Sequence, residues 1–245
     1  MNIQENDSTL PPRMVIYGDV KIGKTTFACG APNPVLIPVE EGFRHIKGVN
    51  HFPLVTRSGD VVTAIRQLCE EKHDYQTVIL DTIDELEKMI WAEICKQSGS
   101  QSINQAMGGY GAGIKAANAQ IKTILNALTI LNKSRNVIVI VLAHAVAKRF
   151  EDPENPAYDR WTLNLHSDAA DTVTAWADEI YFAERRYTVK DNDGDKKQAV
   201  AIGKDERRLR TIGGPSCMAG YRLAKELPEF IPLNWAAYME AVYGK

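Results

Sequence analysis

Eight consecutive residues, Gly18-Asp19-Val20-Lys21-Ile22-Gly23-Lys24-Thr25, satisfy the spacing G-x-x-x-x-G-K-[ST], and Thr26 follows directly. The spacing suits one chemistry: the glycines let the backbone wrap closely round a phosphate chain while successive N–H groups point at its charge. In that role Lys24 reaches the β- and γ-phosphates, the Thr25 hydroxyl ligates Mg²⁺, and Gly18 through Thr26 form the cradle. A second part is Thr77-Val-Ile-Leu-Asp81, an apolar run ending in an acid able to hold Mg²⁺ or its water. Asp81, standing before Thr82 and Ile83, also fits a helix cap. Hydrolysis would further need a group that poises water, and the candidates are Glu40 and Glu41, with Glu41 ahead. A solvated turn before Gly42 is the competing reading of that pair. His144 ends the strongest apolar run and is read as a sensor of the γ-phosphate, against the plainer reading of a satisfied polar residue. Asp84 and Glu85 read as first-turn acids favoured by a helix dipole.

These residues act together only if particular elements bring them to one edge. Met14–Tyr17, Val35–Val39, Thr77–Leu80 and Asn136–Ala143 are continuous apolar runs rich in β-branched residues, the pattern of strands buried on both faces of a parallel sheet. Helical periodicity falls between them, over Lys24–Cys29, Asp60–Glu71, Ile83–Gln97 and Ile114–Asn132. The alternation predicts an open α/β sheet, whose ligands bind beyond the carboxyl ends of the strands. After His144 the pattern changes. Val146–Ser167 is charged and Pro-containing and reads as a functional loop, Glu179–Lys190 and Lys196–Gly203 as a hairpin around Asp191–Asp195, and Arg207–Ile212 as a further strand. Leu233–Tyr243 closes the chain as a short amphipathic helix. The late strands predict an antiparallel extension of the parallel core.

The 245 residues carry 29 Lys+Arg against 31 Asp+Glu, with 44% hydrophobic and 24% charged, values that exclude wholesale disorder and coiled coil. No apolar run is long enough to span a bilayer and Met1–Pro12 lacks a signal pattern, so a cytoplasmic protein without membrane contact is expected. A net charge of −2 would argue against nucleic acid, yet residues 185–210 hold nine basic side chains against five acidic ones. Tyr187 interleaves with this patch and could stack a base. Lys204, Arg207, Arg208 and Arg210 are candidates for DNA contact or for reaching a neighbouring subunit's γ-phosphate. Alternation along a strand sets Arg208 and Arg210 on one face and Arg207 with Leu209 on the other, which favours the first pair for a functional face.

The phosphate loop near the amino terminus, the strand with Glu-Glu-Gly (Val35–Gly42), TVILDTID (Thr77–Asp84), GGYGAG (Gly108–Gly113), VIVLAH before Ala145 and the closing YRLAKELPEFIPLNW (Tyr221–Trp235) resemble the phage-encoded RecA-like AAA-type ATPases. Some of these are single-strand annealing or recombination proteins. The resemblance implies one RecA-like P-loop NTPase domain over 1–245, with 1–12 flexible. It also implies ATP with Mg²⁺, slow DNA-stimulated hydrolysis, assembly into rings or filaments, and single-stranded DNA as partner, beside a phage single-strand DNA-binding protein in the bacterial host cytoplasm. Residue by residue it places Lys24, Thr25 and Asp81 in the nucleotide site, Glu41 or Glu40 as the water-positioning acid, and His144 as the sensor, where the RecA pattern commonly has Gln. Residues 99–113 and 145–167, the latter with Lys148 and Arg149, would be DNA-binding loops. Two other functions fit the same residues: a nucleotide-gated single-strand-binding module that needs no turnover, and a helicase-loader or motor-type ATPase acting on a protein partner.

Overall fold

The computed structural model describes residues 10–191, 199–202 and 205–244. Its strands are β1 (Arg13–Gly18), β2 (Pro34–Pro38), β3 (Asn50–His51), β4 (Thr77–Asp81), β5 (Ile138–Phe150), β6 (Tyr158–Leu163), β7 (Glu179–Arg185), β8 (Thr188–Asp191), β9 (Ala199–Ile202), β10 (Arg207–Arg210), β11 (Gly220–Tyr221) and β12 (Phe230–Pro232). The helices are α1 (Lys24–Cys29), α2 (Ser58–Glu70), α3 (Ile83–Ser98), α4 (Ala112–Arg135), α5 (Ser167–Trp176) and α6 (Trp235–Tyr243).

Ten strands form one sheet, in the order β12-β10-β7-β1-β5-β4-β2-β3, with β11 on β7 and β6 on β5. From β7 to β3 all neighbours are parallel, whereas β10, β11 and β12 join antiparallel at the other end. The fold is thus α/β with a mostly parallel sheet and the expected late antiparallel extension. Side chains alternate across it. Val15, Tyr17, Ile37, Leu80 and Val141 pack under α2, α3, α4 and α5, while Met14, Ile16, Leu36, Ile79 and Leu142 pack under α1 and α6. Both faces are covered, which is why these strands carry no polar alternation.

Two expectations change. Residues 145–167 are not an irregular loop, because β5 runs 13 residues and pairs antiparallel with β6 from Ala145↔Leu163 to Phe150↔Tyr158. The prolines and three of the acids that obscured this sit in the turn, where Asp152 Oδ1 accepts the Glu154 and Asn155 amides, while Lys148, Arg149, Asp159 and Arg160 stand on the paired strands. Residues 10–12, expected to be flexible, are anchored, since the Pro11 carbonyl accepts Asn132 Nδ2 and the Pro12 carbonyl accepts the Val139 amide. Residues 1–9 and 192–198 lie outside the described residues, and with the latter all of the expected hairpin tip Asp191–Asp195 except Asp191, although β8 and β9 do pair antiparallel on either side of it.

Candidate nucleotide-binding site

The phosphate loop leaves β1 at Gly18 and turns into α1 at Gly23, whose φ of 110° lies in the left-handed region that glycine tolerates. Gly18 also allows a close approach, because a Cβ there would strike the Ala183 carbonyl of the neighbouring strand β7. Lys24 is buried, and its Nζ donates to the Gly18 and Asp19 carbonyls at 3.0 Å each. Burial pushes the ammonium below the ordinary lysine range, partly offset by the carboxylates of Asp81, Asp84 and Glu40.

Asp81 ends β4, two strands from β1 with β5 between them. Its Oδ2 accepts from Thr25 Oγ1 at 2.7 Å, while Oδ1 is buried with no partner among the described residues. Burial raises the Asp81 pKa. A hydroxyl and a carboxylate oxygen meeting at the loop's mouth, with the second oxygen unsatisfied, fit a hard cation such as Mg²⁺ held between Thr25 and Asp81.

His144 lies within β5 rather than at its end, directly opposite Gly18 across the β1–β5 pair. Its amide donates to Asp84 Oδ1 at 2.9 Å and its Nδ1 to Asp84 Oδ2 at 2.8 Å. That hydrogen bond raises the imidazole pKa against the effect of burial. For Asp84, burial alone would raise the carboxyl, but the two bonds from His144 bring it below the usual range. Asp84 does stand in the first turn of α3, as expected, but it is 0% exposed and is also the group that fixes the imidazole. Its sequence signal was the spacing of three residues from Asp81, which sets it on the first turn of α3 at the same edge.

The two glutamates separate. Glu40 faces the imidazole, with Oε1 3.9 Å from His144 Nε2, and burial beside Asp81 raises its pKa. Glu41 lines the same cleft but pairs outward with Arg44 at 2.6 Å. Of the two it is thus Glu40, not the Glu41 put ahead from sequence, that stands beside His144. Together these elements enclose an open cleft of about 850 Å³ containing Lys24, Thr25, Glu40, Glu41, His144 and Arg207.

The basic candidates are rearranged more strongly. Arg208 pairs with Glu184 at 2.7 Å and lies 3.6 Å over the Phe230 ring, and Arg210 donates to Ser216 at 2.7 Å. Both are held within the antiparallel end, so the face favoured by alternation is spoken for by neighbouring side chains. Arg207 instead reaches its own chain's phosphate loop, with Nη1 3.3 Å from the Ile22 carbonyl. Arg185 and Arg186 pair with Asp205 and Glu206. Lys204 lies outside the described residues. Lys148 donates to the Leu165 carbonyl and Arg149 is exposed on β5. Over 99–113 the chain makes turns around a short 3₁₀ segment, with the Tyr110 side chain wholly exposed.

Among the described residues no helix is long and apolar enough to cross a membrane. The chain is 27% identical over 151 residues to an uncharacterized SPbeta prophage-derived protein, YorG, of Bacillus subtilis strain 168. That match covers 60% of the chain and 44% of the relative, so the chain spans less than half of that protein's length. Among solved structures it is similar to the RadB recombinase, at 14% identity and a TM-score of 0.48 over 93% of this chain and 90% of that one. Residues 10–223 match the AAA domain model AAA_24, and with that span, and with Asp81 bonded to Thr25 of the phosphate loop, the chain belongs to this family of AAA-type ATPase domains.

Proposed function

We propose that the chain is an ATP-hydrolysing DNA recombination protein, one RecA-like domain that assembles with copies of itself and binds single-stranded DNA for annealing or strand pairing. The observation that supports it most is the Thr25–Asp81 contact with Asp81 Oδ1 left unpartnered beside Lys24. Mg²⁺, when held there, would neutralise charge on the β- and γ-phosphate oxygens. Lys24 exchanges its two carbonyl partners for phosphate oxygens, whose negative charge favours the ammonium form. Glu40 accepts a hydrogen bond from the attacking water and orients it, the products being ADP and phosphate. His144, fixed through Nδ1 by Asp84, turns Nε2 toward Glu40 and the cleft, where it distinguishes a γ-phosphate from its absence. Because β5 continues past His144 into the β5–β6 hairpin, the same strand carries the sensor and Arg149.

The test is the ATPase rate of wild type and Lys24→Ala with and without single-stranded DNA. Turnover stimulated by DNA and abolished in Lys24→Ala is expected, and absence of nucleotide binding by wild type would sink the reading. Pairing of Arg185, Arg186 and Arg208 with acids gives a protein partner a specific claim as the second reading. In that case turnover rises with a replication protein and not with DNA. A nucleotide-gated module would bind DNA equally well when Glu40→Gln abolishes turnover.

A further inference from the structure

We propose that Arg207 binds the nucleotide of its own subunit, at the nucleoside end, and that Asp205 is the partner it leaves to do so. This deepens the nucleotide reading above and rests on it. Strand order fixes the direction. The groups suited to hydrolysis, His144 on β5, Asp81 on β4 and Glu40 just after β2, all lie on one side of the P-loop strand β1. Arg207 begins β10, on the other side of β1 beyond β7. A nucleotide lying across the loop with its γ-phosphate toward β4 and β2 must therefore extend its α-phosphate and nucleoside toward β10. Arg207 already lines that cleft, with Nη1 3.3 Å from the Ile22 carbonyl and 3.4 Å from where a Cβ on Gly23 would stand.

Among the described residues the guanidinium is otherwise engaged only on one side. Nε and Nη2 form a fork with Asp205, at 3.3 Å to Oδ1 and 2.9 Å to Oδ2, and Asp205 is also claimed by Arg185 at 3.0 Å. Such a fork matches a phosphate as well as a carboxylate, and the Arg207 side chain keeps 39% of its surface exposed. Exchange of Asp205 for the α-phosphate thus replaces one bidentate anion by another, while Arg185 remains to neutralise Asp205. This separates Arg207 from an arginine acting on a neighbouring subunit, since an arginine beside the α-phosphate serves ADP and ATP alike.

Titration of fluorescent ADP and ATP analogues into the full chain with Mg²⁺ tests the proposal. Arg207→Ala should weaken both by a similar factor, roughly tenfold for one lost charged fork. Arg207→Lys should recover only part, because an ammonium cannot make the fork. Asp205→Asn should move the other way and tighten both. Unchanged ADP affinity in Arg207→Ala, or a loss confined to ATP, overturns the proposal in favour of a γ-phosphate or neighbouring-subunit role. If Arg207→Ala fails to fold by circular dichroism, Asp205→Asn decides, and no tightening of ADP counts against the exchange. Failure of wild type to bind either nucleotide removes the underlying nucleotide reading, an outcome distinct from all of these.

Discussion

At the residue scale the site is assembled from buried polar groups, each of which carries a desolvation cost. Asp81 keeps a buried, unpartnered carboxylate oxygen, and burial raises its pKa. Asp81→Asn should therefore make the nucleotide-free protein more stable, by roughly 2–4 °C in Tm if about 1 kcal/mol of desolvation is relieved. The same change should remove the Mg²⁺ dependence of nucleotide affinity, so calorimetric melts and nucleotide titrations on one variant should move in opposite directions. His144 and Asp84 give a pH signature instead. The imidazole pKa is raised above its ordinary 6.5 by the Asp84 hydrogen bond, so its contribution to stability is complete below that value and is lost as pH climbs through the raised one. Asp84, held below the usual carboxyl range, contributes above that range and loses its share only as pH falls through the lowered value. The stability difference between wild type and His144→Gln should be widest in mildly acidic solution and narrow as pH rises. A gap that widens toward alkaline pH in melts across that range would refute the pairing.

At the scale of elements, the β5–β6 hairpin is the feature that most changes the reading of the chain. Lys148 and Arg160 stand opposite each other in the ladder, so residues 149–159 can be replaced by a two-residue Asn-Gly turn without disturbing the pairs below them. That variant should keep its far-UV spectrum and ADP affinity while single-stranded DNA affinity falls at least about tenfold, the loss of one or two charged or stacked contacts. DNA binding at wild-type strength would relocate the interface. The hairpin was hidden in the sequence because strand pairing across a turn depends on register, and the local composition of Lys148, Arg149, Glu151 and Asp152 looks like solvent-exposed chain. Helix α5 was missed for a related reason: Ser167–Trp176 has small apolar residues, Ala169, Ala170 and Val173, whose burial comes from packing on the sheet. By contrast, β1, β2, β4 and the first half of β5 were legible because burial on both faces leaves continuous apolar runs. The common placement of Lys24, Thr25 and Asp81 was legible because it follows from spacing and strand ends. The fates of Glu40, Asp84 and Arg207 depended on contacts 60 to 185 residues distant in sequence that local composition does not encode.

For the whole molecule, the net charge of −2 takes on a different meaning once the pairs are known. Arg185, Arg186, Arg207 and Arg208 each face an acid, so these four cations of the 185–210 patch are committed within the subunit and are poorly available to a phosphate backbone. On the proposed DNA-binding function, tight binding should require several subunits acting on one strand. Anisotropy titrations of a long labelled oligonucleotide should be sigmoidal in protein concentration, with a salt slope that steepens as assembly proceeds. A simple hyperbola with a constant slope would instead mark a single subunit as the binding unit. The length of β5 bears on how such an assembly could respond to its nucleotide. The strand is clamped between β1 and β4 as far as Leu142 and then projects, from His144 to Phe150, about 20 Å beyond the clamp at 3.3 Å per residue. Mechanically it is a cantilever rooted beside the phosphates. A tilt of about 5° at the imidazole, too small to disturb the core, would swing the far turn by roughly 2 Å over that length.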